Sequence, residues 1–260
     1  MFSTELYRHF FQMETNQFCI ITDIHIPEPG KMAMEVDSRS HFIRIVNRVV
    51  ADPLDYLVIC GDLCFRDPNI EVYHWVKSIL DQTGIPYYVI AGNHDHSGMM
   101  AEIFNLEKNY NTETNELYFK ANLSRISALF LDTGKGFMSD SQFEWIAEEL
   151  KMDIDCKILF MHHPPLYGGV PHMDKRYAFT QNDRFIKLMT SFNRNFRLFT
   201  GHYHVEKTIS IHNMECLITP SCFVQIDYRF EDFQPEHYMP AFRNVWMGDE
   251  YFSTSVHYLQ

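Results

Sequence analysis

The sequence predicts an α/β protein with two stacked sheets and helices on their outer faces. Short apolar runs alternate with amphipathic stretches in the first half of the chain, and the alternation returns after residue 140. This alternation is typical of strands joined by helices. In the middle and at the end of the chain, strand-like runs follow one another without helices between them, which indicates a second sheet.

Each predicted strand is an apolar run too short for a helix, and each predicted helix repeats apolar residues every three or four positions. The first strand ends at Asp23, and Pro27 and Gly30 mark the loop behind it. Ser139 or Ser141 can cap the helix of residues 140–150. The strands are expected at residues 18–22, 56–60, 87–91, 116–120, 126–131, 157–161, 196–199, 208–212, 215–219 and 253–257, and the helices at residues 41–50, 71–80, 99–104, 140–150 and 181–192.

The composition favours one domain over residues 1–260. The chain is 46% hydrophobic and carries no low-complexity linker or internal repeat, so it can bury one large core. Within this domain, residues 1–17 are expected to be an N-terminal extension, and residues 205–260 a C-terminal β-rich segment.

Charge and cysteine content narrow the partners and the compartment. A formal net charge of −12 argues against long nucleic acids as partners. No apolar stretch approaches the length of a membrane span, and Met1–Gln17 has no secretory pattern. The six cysteines include no CxxC pair, which favours a cytoplasmic location. The sequence leaves open whether the chain forms a homo-oligomer.

Five short motifs supply ligands for two metal ions, and each comes directly after an apolar run. Carboxylate, amide and imidazole groups suit hard or borderline cations. Two such ions about 3.5–4 Å apart can hold an attacking hydroxide and neutralise a phosphoryl transition state, so a hydrolase of phosphate esters is the first interpretation. The motifs are Asp23-x-His25, Gly61-Asp62, Gly92-Asn93-His94-Asp95, His162 and Gly201-His202-Tyr203-His204.

Over residues 18–204 these motifs resemble the calcineurin-like metallophosphoesterase superfamily, whose fold is a four-layer αββα sandwich. Nearly the whole chain resembles the bacterial class III cyclic-AMP phosphodiesterases and their glycerophosphodiesterase relatives. The segments that carry this second resemblance are Met161-His162-His163-Pro164-Pro165, Thr219-Pro220-Ser221, Val224-Gln225, Pro240-Ala241-Phe242-Arg243 and Ser253-Thr254-Ser255-Val256-His257.

The resemblance implies a role for each motif residue. His94 would contact the phosphate as a catalytic group and would not bind metal. Asp62 would bridge the two ions, because one carboxylate has two oxygens. The first ion would be held by Asp23, His25 and His204, and the second by Asn93, His162 and His202.

Several neighbours of these residues leave alternatives open. Asp95 could accept a hydrogen bond from an imidazole or cap the next helix. His163 is expected behind the ligands, because adjacent side chains in an extended segment point in opposite directions. Arg66 could contact phosphate, but a surface position is favoured. Tyr167, Tyr177 and Phe223 could wall a nucleobase pocket, although core packing is favoured for each.

The expected activity is metal-dependent hydrolysis of small phosphodiesters, by attack of a hydroxide that bridges two metal ions. The sequence favours manganese or iron, with zinc also suitable. The first expectation for the substrate is a 3′,5′-cyclic nucleotide. The alternatives are a glycerophosphodiesterase and a broad-specificity phosphomonoesterase or nuclease. A non-catalytic scaffold is disfavoured because no ligand is missing, and the Glu107–Glu116 stretch leaves the pocket wall undetermined.

Overall fold

The computed structural model describes residues 15–123, 126–248 and 251–260, and they form an α/β structure with two large sheets. The helices are α1 (Ser38–Val49), α2 (Ile70–Thr83), α3 (Ser97–Ile103), α4 (Asp140–Met152), α5 (Pro171–Arg176) and α6 (Asn182–Thr190). The strands are β1 (Asn16–Ile21), β2 (Tyr56–Cys60), β3 (Tyr87–Ile90), β4 (Tyr110–Asn111), β5 (Glu116–Leu117), β6 (Phe119–Leu123), β7 (Ile126–Leu131), β8 (Ile158–Met161), β9 (Phe196–Thr200), β10 (Lys207–Ile211), β11 (Met214–Ile218), β12 (Gln225–Ile226), β13 (Pro235–His237), β14 (Ala241–Met247) and β15 (Phe252–Tyr258).

The first sheet has five strands in the order β15-β14-β1-β2-β3. Strands β1, β2 and β3 are parallel neighbours, so their carboxyl ends lie at one edge. Strand β14 pairs antiparallel with β1, placing Val245 opposite Phe18. The last two strands of the chain therefore complete a sheet that the first residues of the described chain begin.

The second sheet has six strands in the order β10-β11-β9-β8-β7-β6. Its four central strands are parallel, and the edge strands β6 and β10 run antiparallel to their neighbours. The carboxyl ends of β8 and β9 consequently lie together, as do those of β1, β2 and β3 in the other sheet.

Side-chain alternation along the second sheet separates the layers. Ile158 and Phe160 of β8 belong to the core that contains the strands of the first sheet and helices α1, α2 and α3. Leu159 and Met161 belong instead to the core beneath α4, α5 and α6. Successive residues of a strand face opposite sides of the sheet. The order of layers is therefore helices, sheet, sheet, helices, as the sequence predicts.

Aromatic residues fill the space between the two sheets. A row of stacked rings crosses the inner face of the second sheet, with centroid distances of 4.7 Å for Phe119–Phe130, 4.8 Å for Phe130–Phe160 and 5.3 Å for Phe160–Phe199. Phe18 of the first sheet meets Phe160 and Phe199 edge-on. This packing fixes the two sheets against each other and with them the two sets of strand ends.

The predicted helices and strands correspond to elements of the structure, with Ser139 as the cap of α4. Helix α5, the two- and three-residue strands β4, β12 and β13, and strand β14 are absent from the sequence predictions. Helix α5 has only six residues, and β14 is nearly all buried, so its pattern lacks the alternation of a surface strand. The predicted extension of residues 1–17 lies mostly outside the described residues, and β1 already begins at Asn16.

Candidate metal centre

The motif residues follow five strands whose carboxyl ends face the gap between the two sheets. Asp23 and His25 follow β1, Asp62 follows β2, and Asn93 follows β3. From the second sheet, His162 follows β8, and His202 and His204 follow β9. Parallel strands thus bring together residues that lie up to about 180 positions apart in the chain, at the edge where α/β sheets bind ligands.

Backbone strain is concentrated at these residues. Five of the ten non-glycine residues with positive φ in the described part of the chain are candidate ligands. This left-handed conformation is uncommon for residues with a Cβ, and strained backbone often marks a functional site. The five residues, with φ between 49° and 65°, are Asp23, His25, Asp62, His202 and His204.

Two glycines make room for the carboxylates. A Cβ on Gly92 would lie 2.2 Å from Oδ1 of Asp62, and a Cβ on Gly201 would lie 2.0 Å from the hydroxyl of Thr22 and 2.6 Å from Oδ2 of Asp23. Neither approach is sterically possible. The glycine of each motif is therefore required because another strand end delivers a carboxylate to that spot.

The first group of candidate ligands consists of Asp23, His25 and His204. Nε2 of His204 lies 3.1 Å from Oδ1 of Asp23 and 3.1 Å from Nε2 of His25. Asp23 is held in place by three donors: the hydroxyl of Thr22 at 2.8 Å and the backbone N–H of His202 at 2.9 Å bond its carboxylate, and the hydroxyl of Ser221 bonds its carbonyl. The carboxylate is thus oriented before any ligand binds.

The second group consists of Asp62, His162 and His202. Oδ2 of Asp62 lies 3.4 Å from Nε2 of His162 and 3.6 Å from Nε2 of His25, so it faces both groups. Its Oδ1 accepts a hydrogen bond of 2.9 Å from the backbone N–H of His94. The structure therefore places Asp62 between the two groups, where a bridging ligand has to lie.

Backbone carbonyls determine which imidazole nitrogen faces the centre. Nδ1 of His25, His162 and His204 lies 3.2, 2.8 and 2.7 Å from the carbonyl oxygens of residues 64, 60 and 224. A carbonyl oxygen only accepts, so each Nδ1 carries the hydrogen and each Nε2 is left as the ligand atom. His202 is reversed, since its Nε2 donates to the carbonyl of Tyr177 at 2.9 Å and leaves Nδ1 free.

The donor arrangement fits metal ions. Nε2 of His162 is buried and has no hydrogen-bond partner among the described residues. The two Nε2 atoms of His25 and His204 face each other with lone pairs, unless one ring is protonated. A cation relieves this repulsion and satisfies the buried nitrogen, because each atom has a lone pair directed at the centre.

Burial and mutual charge shift the pKa values of these groups. Burial lowers the pKa of His25 to about 4 and that of His202 to about 3, so both rings are neutral at pH 7. Burial alone would raise the pKa of Asp62, but His162 holds it well below its usual range. Burial lowers the pKa of His162, but Asp62 raises it to about 9. An ionised carboxylate and neutral imidazoles are the forms that bind a metal ion, so a cation has to displace a proton from His162.

Asn93 and His94 lie at the entrance to the centre. Asn93 is exposed, and its side chain lines the same cavity as Asp62 and His202. Nδ1 of His94 donates to the carbonyl of Arg66 at 2.8 Å, which leaves Nε2 free. The ring also forms a third ligand-spaced group with His25 and Asp62, so its position alone suits a catalytic group or a ligand.

Asp95 bonds no imidazole among the residues that the structure describes. Its carboxylate accepts hydrogen bonds from the backbone N–H groups of Leu63, Cys64 and Gly92 at 3.0–3.2 Å, and from the hydroxyl of Tyr73 at 3.3 Å. The expectation that Asp95 orients an imidazole is therefore wrong. It ties the loop after β2 to the loop after β3, and these loops carry Asp62 and Asn93.

His163 and His96 also have defined structural positions. The ring of His163 packs at a tilt against that of His202, with 4.0 Å between centroids, and its Nδ1 contacts the hydroxyl of Thr133 at 3.2 Å. His163 thus lies beside a candidate ligand. Nδ1 of His96 accepts from the N–H of Met99 and caps α3, so His96 rather than Asp95 is the cap.

A cavity of about 530 Å³ opens over the two groups. Arg66 lines this cavity together with Phe65 and Phe223. It is therefore not a surface residue remote from the site. Tyr177 and His172 line it as well, although the Glu107–Glu116 stretch does not. The cavity combines an apolar wall with a floor of carboxylates and imidazoles, as small-molecule sites often do.

A family model described as calcineurin-like phosphoesterase matches residues 17–206, which include all seven candidate ligands. The chain belongs to the calcineurin-like phosphoesterase family. This phosphoesterase is a metal-dependent hydrolase of phosphoric esters, and the sequence-based recognition of the family is confirmed.

Two relatives cover nearly the whole of this phosphoesterase. A protein of Fibrobacter succinogenes named "Probable cyclic nucleotide phosphodiesterase" is 30% identical over 240 residues, which is 92% of each chain. A protein of Arcobacter nitrofigilis named "Probable glycerophosphodiester phosphodiesterase" is 28% identical over 255 residues, again with 92% of each chain covered.

The fold has a close counterpart among solved structures. A dimetal phosphatase from Danio rerio superposes with a TM-score of 0.71 and 10% sequence identity, covering 93% of this chain and 95% of its own. At that identity the likeness concerns the fold.

In the part of the chain that the structure describes, none of the helices combines the length and the apolar character needed to cross a membrane.

Proposed function

We propose that this phosphoesterase uses two metal ions to hydrolyse small phosphodiesters, with 3′,5′-cyclic nucleotides as the first candidates. The position of Asp62 supports this proposal, because its Oδ2 lies within 3.6 Å of an imidazole nitrogen from each ligand group. A single-ion site needs no carboxylate shared between two sets of ligands.

The ligand sets follow from the two groups. Asp23, His25 and His204 would hold the first ion, and Asp62 would bridge to the second. Asn93 would complete the second set beside His162 and His202. Bound cations would polarise the phosphoryl oxygens and stabilise the charge that develops on them. Nitrogen and oxygen donors without a thiolate suit manganese or iron, and also zinc.

The chain itself supplies a proton donor or charge stabiliser next to the ions. The carbonyl of Arg66 holds Nδ1–H of His94, and this contact orients Nε2 away from Arg66. When the ring is doubly protonated, Nε2–H could donate a hydrogen bond to a phosphoryl oxygen or its proton to the departing alkoxide, while Nδ1–H keeps its bond to the carbonyl of Arg66. His94 is therefore proposed as the catalytic residue.

Two observations support a small diester as the substrate. The relatives that cover 92% of the chain are named for cyclic nucleotides and for glycerophosphodiesters, which are both small diesters. The net charge of −12 disfavours long polyanions, whereas a small anion interacts mainly with the local field of bound cations. Glycerophosphodiesters are the second candidate, since the Arcobacter relative is almost as similar.

Substrate choice can be measured with a hydrolysis panel. We expect 3′,5′-cyclic AMP and cyclic GMP to be converted to monophosphates with a higher kcat/KM than phosphomonoesters such as p-nitrophenyl phosphate. Glycerophosphoethanolamine and bis(p-nitrophenyl) phosphate complete the panel, with metal analysis of the same preparation. Turnover of monoesters alone, with every diester inert, would assign a phosphatase activity instead.

Removing the metal ions should destabilise the fold around the site. Without cations, the facing Nε2 atoms of His25 and His204 need a proton between them to avoid repulsion of their lone pairs, and the buried Nε2 of His162 lacks a partner among the described residues. Saturating metal contributes about 3 kcal/mol per ion at 100 times its Kd. For two ions we therefore expect a chelator to lower the Tm by roughly 10–20 °C and manganese to restore it.

Differential scanning calorimetry would measure this shift. His25→Ala is the control, because it removes the facing nitrogen and one ligand, and its Tm should respond less to chelator. A wild-type Tm that is the same with and without chelator, in protein shown to release its metal, contradicts the role of these residues as ligands.

A further inference from the structure

An aromatic corner lies beside the proposed second metal site. We use this name for Tyr177, His172 and Phe233, which all line the cavity. The ring of His172 lies 5.4 Å from that of Tyr177 and 5.8 Å from that of Phe233. Tyr177 is 50% exposed and Phe233 39% exposed, while His172 is buried between them. Two aromatic rings thus present free surface to the cavity.

The aromatic corner is joined to the metal centre through the backbone. The carbonyl oxygen of Tyr177 accepts the hydrogen bond of 2.9 Å from Nε2 of His202. Tyr177 directly follows the last residue of α5, and it lines the cavity from there. A molecule whose phosphate lies at the ions can therefore reach the ring of Tyr177 with its next group.

Arg176 links helix α5, which precedes Tyr177, to the segment that carries Phe233. Its guanidinium donates to the carbonyl of Glu231 at 2.8 Å and to Oδ1 of Asp232 at 2.7 Å, and also to Nδ1 of His172 at 2.8 Å. The side chains of Arg176 and Asp232 are exposed, so the ion pair between them adds little stability. Its effect is to set the distance between α5 and the loop that carries Phe233.

The other aromatic patch of the cavity has less free ring surface. Phe65 and Phe223 lie 5.6 Å apart, and Phe223 packs against the ring of His25 at 5.4 Å. Phe223 is only 2% exposed. Both rings pack against His25, a candidate ligand. The aromatic corner is the wall on which a flat group can stack.

We propose that the aromatic corner binds the nucleobase of the substrate, with Tyr177 and Phe233 as the stacking residues. This inference rests on the proposed function and specifies how a nucleotide would be distinguished from other diesters. Stacking suits any base, because every base has a π-face. A cavity of about 530 Å³ is within the usual range for a small molecule.

The test compares two ligands that differ only in the base. Adenosine 5′-monophosphate and ribose 5-phosphate are measured as inhibitors of bis(p-nitrophenyl) phosphate hydrolysis by the full-length protein. We expect the nucleotide to bind wild-type protein roughly 10- to 100-fold more tightly than the sugar phosphate. Tyr177→Leu and Phe233→Leu should each reduce that ratio by at least about fivefold, leaving the inhibition by ribose 5-phosphate unchanged.

Matched controls exclude a general effect of removing an aromatic ring. Tyr167 is 63% exposed and Phe230 is 50% exposed, and neither is among the residues that line the cavity. Tyr167→Leu and Phe230→Leu should keep the wild-type ratio. Metal content and Tm, measured for all four variants, confirm that each is folded.

Two results would overturn the inference. One is a wild-type ratio near one; the other is a loss in Tyr177→Leu and Phe233→Leu that affects both inhibitors equally. The proposed function is tested separately by the hydrolysis panel. If no cyclic nucleotide is hydrolysed but the ratio is high and falls in the two variants, that substrate assignment fails while the aromatic corner is supported as a base-binding site.

Discussion

Asp62→Ala is expected to lose both metal ions and essentially all activity. The carboxylate of Asp62 faces His25 on one side and His162 on the other, so its removal takes a ligand from each proposed ion. A bound ion contributes several kcal/mol of transition-state stabilisation. The rate should therefore fall by at least roughly 10³-fold.

The variant Asp62→Asn separates charge from shape. An amide in this position keeps an oxygen that can accept from the N–H of His94, as Oδ1 does now at 2.9 Å. It removes the negative charge and with it most of the bridging capacity. We expect metal content and kcat to fall in Asp62→Asn as well, with less damage to the Tm than in Asp62→Ala.

Elemental analysis and kinetics on the same preparations provide the measurement. Asp67→Ala is the matched control, because Asp67 is an exposed carboxylate five residues further along the chain. It should retain metal and rate. Two tightly held ions in Asp62→Ala would show that this carboxylate does not bridge them.

His94→Ala is expected to keep both ions and to lower kcat by roughly 10²–10⁴, the usual contribution of a positioned acid or an oxyanion donor. The reason is geometric: Nδ1 is engaged by the carbonyl of Arg66, and only Nε2 is available for substrate. Loss of one ion in this variant would instead make His94 a ligand, in line with its distance from His25 and Asp62.

Leaving groups distinguish proton donation from charge stabilisation. A diester with an alkoxide leaving group needs a proton as the bond breaks, whereas nitrophenolate leaves without one. If His94 acts as an acid, His94→Ala should lose more activity on the alkoxide diester. Equal losses on both substrates would leave charge stabilisation as its role.

His94→Asn is the matched variant for this residue. Its amide nitrogen can replace Nδ1 as a donor to the carbonyl of Arg66, so the loop contact is retained while Nε2 is lost. We expect His94→Asn to be as impaired in kcat as His94→Ala. A normal kcat in His94→Asn would show that Nε2 takes no part in the reaction.

The sequence by itself determined the strands and the chemical identity of the site. Leu57-Val58-Ile59-Cys60 and Ile158-Leu159-Phe160-Met161 are apolar throughout and are buried. An apolar pattern of this kind depends on neighbouring residues alone. Because parallel strands end at one edge, a polar residue directly after each run, such as Asp62 or His162, already implied a shared site. That inference needed no distances.

The tertiary structure decided everything that depends on contacts between distant segments. Strand β14 enters the first sheet through pairing with β1, more than 200 positions away, and no local pattern encodes that partner. Asp95 turns to the backbone of the neighbouring loop because three N–H groups converge there. Each loop residue takes the partner that the adjacent strand end brings within reach.

The same distinction separates the ligands from the substrate wall. Ligand types follow from coordination chemistry and could be read from residues such as His202 and His204. The carbonyl of Tyr177 fixes the tautomer of His202 only because the short helix α5 ends next to His202, which brings this carbonyl within hydrogen-bond distance of its Nε2. The aromatic corner likewise exists only once Arg176 joins two segments more than 50 residues apart, so the position of the proposed base site had to come from the fold.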